Sequence, residues 1–272
     1  MFKDITIGQY IEGKSFIHRM DARVKILLVF VYIILLFIAE TPSAYIAFGL
    51  FTVFIIALSE VPIKFILRGL KPMLFILVFT ALINLFMTRT GEVVWQCPFF
   101  TQIVITDDGV TTAVMMILRL LFLIMGTSIL TLTTSPIMLT DGIEKILTPL
   151  KIIKVPAHEI AMMMTIAIRF IPTLSEETEK IMKAQMARGA DFESGNIIKR
   201  AKAMIPLLVP LFISAFRRAD DLAVAMDSRC YNGGENRTRM KEMKMTCRDA
   251  VASIVMLIFA GLLVFLNICV RG

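Results

Sequence analysis

Residues Val110 to Leu132 read VTTAVMMILRLLFLIMGTSILTL, and Arg119 is the single charged residue among them. A run of this length lets a helix cross the roughly 30 Å hydrocarbon core of a bilayer, which needs about 20 residues. The whole chain of 272 residues is 57% hydrophobic and has a mean hydropathy of +0.77, which is too apolar for a soluble domain. The sequence therefore predicts an integral membrane protein.

Four other apolar stretches have spanning character: Ala22 to Ala39, Pro42 to Leu58, Pro72 to Thr88 and Ala250 to Val270. The first three have only 17 or 18 residues, so each needs long basic side chains at its ends that reach the membrane interface. Suitable residues are Arg23, Lys25, Lys64, Arg68 and Lys71. We expect an all-α integral membrane protein with about five transmembrane helices.

The basic residues predict the orientation of these spans. Of 29 Lys and Arg residues, 26 lie before Ile26, between Ser59 and Lys71, or between Thr133 and Arg248. Cytoplasmic loops carry an excess of Lys and Arg, so these segments are predicted to be cytoplasmic. We expect a multi-pass protein of the cell membrane with a cytoplasmic N-terminus and an extracellular C-terminus.

This topology divides the chain into three parts: a membrane domain with four spans (1–132), a cytoplasmic domain (133–248) and a C-terminal span (249–272). The cytoplasmic part reads as one short helix from Ser135-Pro136 and two long helices, Pro156 to about Ala190 and about Asn196 to Tyr231. Each long helix has an apolar half followed by a charged half. The prolines inside the apolar halves predict bends at Pro172, Pro206 and Pro210.

The two long helices end in related sequences, Gln185 to Asp191 (QMARGAD) and Ala225 to Tyr231 (AMDSRCY), separated by roughly 40 residues. Each helix would carry one guanidinium far from the membrane. Arginine suits a forked contact with a carboxylate or with the carbonyls at a helix C-terminus in a partner. The alternative is that Arg188 and Gly189 only cap their helix.

Several strings together resemble one family over almost the whole chain. They are Gly8-Gln9-Tyr10-Ile11, His18 to Lys25 (HRMDARVK), Ala187 to Phe192 (ARGADF), Arg200 to Pro206 (RAKAMIP) and Tyr231-Asn232-Gly233-Gly234. In this order they resemble the transmembrane T component (EcfT family) of energy-coupling factor (ECF) transporters, which are of the ABC type. The resemblance implies a scaffold that joins two ATPase subunits, as a heterodimer, to a substrate-binding S component for uptake of vitamins or other micronutrients. The three cytoplasmic helices would be its coupling helices.

The resemblance also implies specific contacts. Ala187, Arg188 and Gly189 match the first Ala-Arg-Gly motif of the family, and Ser228, Arg229 and Cys230 fall where the second belongs, so both would dock on the ATPases. Cys230 replaces the glycine and puts a close backbone approach in doubt. ATP and Mg would be bound by the partner ATPases and no cofactor by this chain.

Methionines in the apolar halves suggest a second contact surface. Met162, Met163, Met164 and Met204 belong to 19 methionines in the chain. Thioether side chains adapt to more than one surface, so these residues are candidates for the S-component interface. The alternative, which we weigh equally, is that they fill a helical core.

Within the fourth span, Arg119 is expected to face protein, with Asn84 of the third span as a possible partner and a structural anchor as the favoured role. His18 and His158 lack metal-ligand spacing and are expected to be local hydrogen-bonding groups. The outer loop from Arg89 to Gly109 predicts a short hairpin, with Asp107-Asp108-Gly109 as a turn. The four cysteines (Cys97, Cys230, Cys247 and Cys269) form no CxxC pair, so we assign no disulfide and no metal.

Other functions are less well supported. The sequence has no phosphate-binding loop of the Walker type, no HExxH and no nucleophile elbow, so we expect a non-catalytic subunit. It also lacks RNA-binding and zinc motifs, so we expect no nucleic-acid partner, and the apolar spans are expected to lie in a lipid bilayer. Two alternatives remain: the permease of a conventional ABC importer, and a membrane enzyme whose candidate carboxylates would be Asp107, Asp108, Asp220 and Asp221.

Overall fold

A computed structural model describes residues 10–88, 90–91, 93–96, 104–153, 156–192, 196–233 and 245–271. Gly8, Gln9, Arg89, Cys97, Gln102 and Gly234, on which some of the expectations above rest, lie outside these residues. The chain divides into two compact units. A membrane unit is formed by Gly8–Gly142 with Met243–Gly272, and a second unit contains Ile143–Glu242.

In the membrane unit, the described residues form six complete α-helices, the first half of a further helix and two short antiparallel strands. The helices are α1 (Ala22–Ile38), α2 (Pro42–Ser59), α3 (Ile63–Leu70), α4 (Leu74–Met87), α5 (Asp107–Thr133) and α9 (Cys247–Arg271). The strands are β1 (Val93–Gln96) and β2 (Val104–Thr106). Four described stretches are long and apolar enough to cross a membrane, namely Pro42–Ser59, Ile63–Met87, Asp107–Thr133 and Cys247–Cys269. With the apolar α1 of 17 residues, they agree with the predicted fold class of about five spans.

Polar caps and prolines explain where these helices begin. The Asp21 side chain accepts a hydrogen bond from the backbone N–H of Arg23 at the start of α1, and Thr41 caps α2 just before Pro42. Thr106 caps α5 by accepting from the N–H of Gly109. The predicted hairpin is present, because β1 pairs with β2 in antiparallel register. The prediction that residues 107–109 form a turn was wrong. With Thr106 as their cap, these residues are the first turn of α5.

The third span begins earlier than the sequence suggested. Residues 71–73 form a short 3-10 turn between α3 and α4, so helical structure runs from Ile63 to Met87 instead of starting at Pro72. A proline after Lys71 is tolerated because the tighter turn needs no regular α-helical donor there. Lys64 and Arg68 consequently lie on a helix and not in a loop.

The core of the membrane unit lies between α1, α2, α5 and α9. The Tyr32 hydroxyl donates to the carbonyl oxygen of Phe122 (3.1 Å) and lies 2.9 Å from the Thr52 hydroxyl. Its ring packs where Gly126 has no side chain, since a methyl group at Gly126 would overlap the Tyr32 ring. The Phe51 and Phe259 rings stack with centroids 3.9 Å apart. These contacts hold α1, α2, α5 and α9 in one bundle.

Three further α-helices are described between α5 and α9. The short α6 (Pro136–Leu147) leads through a 3-10 segment (Thr148–Ile153) to α7 (Ala157–Ala187) and α8 (Ile197–Asp227). These helices agree with the short and the two long helices predicted for this region. Pro172, Pro206 and Pro210 lie inside uninterrupted helices, and the bends expected there stay a prediction. The domain boundaries at 132/133 and 248/249 also stay a prediction, because they depend on the side of the membrane.

Candidate docking ends of two long helices

The C-terminal end of α7 is closed by a compact backbone turn. The N–H of Gly189 donates to the carbonyl of Met186 (2.9 Å), and the N–H of Ala190 reaches back to the carbonyl of Gln185 (3.0 Å). Gly189 has a φ of 87°, the left-handed conformation that this type of helix end requires. The turn ends α7 at Ala187, makes Arg188 the C-cap residue and leaves its guanidinium at the tip of the helix.

The end of α8 repeats this turn without a glycine. The N–H of Cys230 donates to the carbonyl of Asp227 (2.8 Å), and the N–H of Tyr231 donates to the carbonyl of Met226 (3.1 Å). Cys230 takes the left-handed position with a φ of 54°, which costs a non-glycine residue about 1 kcal/mol. The internal repeat predicted from the sequence is therefore present in the backbone, and Cys230 preserves the turn that its glycine counterpart makes.

Both candidate arginines are available for a partner. Arg188 and Arg229 are exposed, as are Ala187, Gly189, Ser228 and Cys230. Within the described part of the chain, neither guanidinium has a hydrogen bond or an ion pair. A methyl group added at Gly189 would meet no atom within 4 Å, so inside this chain the glycine is needed for its φ and not for space.

A half-buried ion pair that was not predicted from the sequence joins the two long helices. The Glu177 carboxylate on α7 accepts from the Arg218 guanidinium on α8 (2.7 Å) and, with its other oxygen, from the Ser214 hydroxyl (2.5 Å). Glu177 stands 11 residues before Arg188, and Arg218 stands 11 residues before Arg229. The bridge thus joins equivalent positions of the two repeats. Both residues lie in the charged helix halves that the sequence predicted, and opposite charges at matching positions of the repeat were a usable signal for their pairing.

The bridge gives the two helices arms of equal length. At 1.5 Å per residue, 11 residues place each arginine about 16 Å along its helix from the bridge. Glu177 and Arg218 therefore fix the point from which both tips project by the same distance. This arrangement would let α7 and α8 present two equivalent basic ends to two similar protein surfaces.

The candidate methionines lie on exposed apolar surface. Met163 and Met204 are 59% and 52% exposed, Met164 is exposed and Met162 is half-buried. Large apolar side chains of α8 share this exposure, namely Ile205, Leu208, Val209, Phe212, Ile213 and Phe216. Met163, Met164 and Met204 consequently do not fill a core of this chain. An exposed apolar surface of this kind is typical of a contact with another protein or with lipid.

Arg119 faces protein, as expected, but its partner is not Asn84. Its guanidinium donates to the Tyr45 hydroxyl (3.0 Å) and to the carbonyl of Ala39 (3.2 Å), and lies 5.7 Å from the Phe37 ring centre. Asn84 donates to the carbonyl of Thr80 in its own helix (2.9 Å). The pairing with Asn84 was wrong because α1 ends and α2 begins level with the middle of α5, so the carbonyl at the end of α1 and the first turn of α2 reach Arg119. Arg119 anchors the turn between α1 and α2.

The motif HRMDARVK folds the segment before α1 onto the end of α5. The His18 ring lies 2.6 Å from the Ser15 hydroxyl and 3.0 Å from the carbonyl of Ile11, and burial lowers its pKa although the Ile11 contact opposes this. The ammonium of Lys25 donates to the carbonyl of Thr133 (3.0 Å) and the hydroxyl of Thr134 (3.3 Å). His18 is therefore a local hydrogen-bonding group, as expected. His158 is one too, with Nδ1 3.1 Å from the Glu144 carboxylate.

A buried carboxylate ties the start of α9 to the start of α1. Asp249 is 3% exposed, and its two oxygens accept from the N–H of Asp21 (2.8 Å) and from the N–H and hydroxyl of Thr246 (2.7 and 2.9 Å). Burial raises the pKa of Asp21, but hydrogen bonds and charge from Arg23 outweigh it and hold the pKa below its usual range. Asp249 was not among the functional residues predicted from the sequence. Thr246 followed by Asp249 is a helix-start pattern that indicated it.

The residues that the structure describes contain no group of three His, Cys, Asp or Glu side chains able to hold a metal ion. Their features define a class: a multi-pass membrane protein with a helical second unit whose tips carry free arginines. A family model described as Cobalt transport protein, CbiQ, matches residues 13–240. The chain belongs to this family, that of the transmembrane components of energy-coupling factor transporters, and the resemblance seen in its motifs is confirmed.

Curated relatives carry the name "Energy-coupling factor transporter transmembrane protein EcfT". The relative from Ruminiclostridium cellulolyticum is 54% identical over 259 residues, which is 95% of this chain and 96% of that protein. The relative from Clostridium kluyveri is 56% identical over 260 residues and 95% of each chain. The Bacillus subtilis protein is 46% identical over 267 residues, covering 98% of this chain and all of its own.

Proposed function

We propose that this chain is the scaffold that couples two cytoplasmic ATPase subunits, a heterodimer, to a substrate-binding S component for ATP-driven uptake of vitamins or other micronutrients. In this proposal Ala187, Arg188 and Gly189 dock on one ATPase, and Ser228, Arg229 and Cys230 dock on the other. The observation that supports it best is the pair of matching helix ends, each with an unpaired arginine about 16 Å from the Glu177–Arg218 bridge.

The size of such contacts fits a coupling role. Driving a two-state carrier from about 1:99 to 99:1 takes about 5.5 kcal/mol of differential interaction. Breaking a desolvated charge pair by removal of one partner costs about 2 to 5 kcal/mol, whereas a solvent-exposed pair contributes under about 1 kcal/mol. Two arginines buried in ATPase grooves together reach the required range. Two arginines left in solvent do not.

The first experiment removes both tips. Arg188→Ala with Arg229→Ala should reduce the ATPases that co-purify with the chain by at least about 30-fold, which corresponds to about 2 kcal/mol. A control pair on the same two helices is Arg169→Ala with Arg217→Ala, since both residues are exposed. Full ATPase content and normal uptake in the tip variant would rule out the docking proposal.

We propose that Met162, Met163, Met164 and Met204 contact the S component. Replacing Met162, Met163 and Met164 by leucine keeps the apolar surface but reduces its adaptability. Binding of several different S components to this variant should then fall to unequal extents, whereas Met138→Leu, another exposed methionine, should leave all of them unchanged. Equal binding of every S component to the triple variant would instead favour simple lipid contact.

The proposed orientation places the N-terminus and the α7 and α8 tips in the cytoplasm and the C-terminus outside. It rests on the 26 Lys and Arg residues of the segments predicted to be cytoplasmic. In this arrangement ATP and Mg belong to the partner ATPases and the chain supplies no catalytic residue. Uptake by this chain and its ATPases in the absence of any S component would favour a conventional permease instead.

A further inference from the structure

The membrane unit contains a cavity of about 320 Å³ that the proposed function does not use. It is lined by α1, α2, α5, α9 and the segment just before α1. An engineered apolar cavity of about 150 Å³ stays dry and binds benzene, so a space of about twice that volume is large enough for a sizeable apolar group. Its lining residues include Lys25, Tyr32, Thr52, Gly126, Thr133 and Val255.

Every polar side chain among these lining residues is already satisfied inside the protein. The Tyr32 hydroxyl bonds with Thr52 and the carbonyl of Phe122, and the Thr52 hydroxyl donates to the carbonyl of Phe48. The Thr133 hydroxyl donates to the carbonyl of Ile129. The Lys25 ammonium has three oxygen neighbours of its own, from His18, Thr133 and Thr134. The cavity therefore offers an occupant apolar surface and no hydrogen bonds.

The depth of the cavity matches one leaflet of a bilayer. Its lining covers residues 25–32 of α1, 51–58 of α2, 126–133 of α5 and 251–256 of α9. On the three longest stretches this is about 10 Å of helix, within the about 15 Å of hydrocarbon in a single leaflet. All four stretches lie toward the same end of the bundle, the end at which α1 and α9 begin. A straight apolar chain entering from that end would fit along them.

Positive charge stands at that end of the cavity. Arg19 precedes the lining residue Met20 and is exposed. Arg248 lies one helical turn before the lining residues Val251 and Ala252 on α9, and therefore on the same side of that helix. Neither side chain has a hydrogen bond or ion pair among the described residues. Two free guanidiniums beside an apolar cavity suit a phosphate group joined to an acyl chain.

From this geometry we propose that the cavity binds one acyl chain of an anionic membrane phospholipid, with Arg19 and Arg248 contacting its phosphate. The lipid would seal the space between α1, α2, α5 and α9 in the leaflet from which it enters. The proposal is independent of ATPase docking, because it concerns residues of the membrane unit alone.

The test fills the cavity and counts bound lipid. The full-length chain is reconstituted in nanodiscs of phosphatidylglycerol and phosphatidylcholine in equal amounts, extracted, and analysed by native mass spectrometry. Wild type should retain one phosphatidylglycerol. Val255→Phe should lower its occupancy by about tenfold or more, because an added ring displaces buried methylenes. Val264→Phe, an exposed valine of the same helix outside the cavity lining, should retain the lipid as wild type does.

Two further arms keep the test decisive. If Val255→Phe fails to fold, Ala252→Leu fills the cavity from the same helix more gently and is judged by the same loss. Arg19→Gln with Arg248→Gln should keep a bound lipid but remove the preference for phosphatidylglycerol over phosphatidylcholine. The proposal is overturned if folded cavity variants retain the lipid as wild type does, if wild type retains none, or if only added detergent occupies the chain. The proposal is also overturned if the cavity variants keep the wild-type lipid occupancy and instead lose the binding of a protein partner.

Discussion

Exchanging the charges of the Glu177–Arg218 bridge tests whether it sets the position of the two tips. The side chains are 24% and 36% exposed, so the ion pair contributes about 1 kcal/mol, the upper end for partly exposed pairs. The hydrogen bond from Ser214 adds about 1 kcal/mol. Glu177→Arg alone replaces attraction by repulsion and should destabilise the contact between α7 and α8, where the two helices cross, by about 2 kcal/mol. Glu177→Arg with Arg218→Glu should recover the ion-pair half of this loss.

The assay measures the distance between the tips. Spin labels at Ala187→Cys and Ser228→Cys, in a chain whose native cysteines are replaced by serine, report it by pulsed electron paramagnetic resonance in nanodiscs. Each arm is about 16 Å long, so a change of roughly 10° in the crossing moves each tip by about 3 Å.

The single charge reversal should broaden and shift the distance distribution by several ångströms, and the exchanged pair should narrow it again. The reasoning is refuted if the single reversal leaves the wild-type distribution unchanged. It is also refuted if the exchanged pair, correctly folded, behaves like the single reversal.

Three further predictions concern stability, each followed by thermal unfolding in detergent. Gly126→Ala should destabilise the membrane unit by about 1 to 3 kcal/mol because its methyl group overlaps the Tyr32 ring, whereas Gly261→Ala, with no atom within 4 Å of the added carbon, should not. Cys230→Gly should stabilise the end of α8 by about 1 kcal/mol, and no gain would contradict its left-handed conformation. Burial lowers the pKa of His18 below 6.5, so its contribution is fully present above pH 6.5 and is lost as the pH falls through the folded pKa. His18→Gln should remove this part of the pH dependence.

The spans were predictable because they depend on composition alone. An apolar run such as 110–132 is stable in the hydrocarbon core of a bilayer and not in water. The exact start of the third span was not predictable. A proline often occupies the first position of a helix, but Pro72 lies in a 3-10 turn inside a longer helical stretch. The prediction of a turn at residues 107–109 was wrong for a similar reason. After the Thr106 cap, the sequence Asp-Asp-Gly also suits the first turn of a helix.

The two arginine tips of the candidate site were predictable from the sequence, but the Glu177–Arg218 bridge was not. Arg188 and Arg229 could be found from a repeated sequence, and glycine at one of the two ends indicated the turn. The bridge from Glu177 to Arg218 requires knowledge of which faces of α7 and α8 meet, which a single sequence does not contain. The same holds for Arg119, whose contacts with Tyr45 and Ala39 depend on how far α1 reaches along α5.

Site-specific photocrosslinking in the assembled complex tests whether both arginine tips dock on ATPase subunits. A photoreactive amino acid at position 188 should crosslink to one ATPase and at position 229 to the other, while positions 169 and 217 on the same helices should give neither product. Crosslinks from 188 and 229 to the S component alone, or equal ATPase crosslinks from all four positions, would contradict the account.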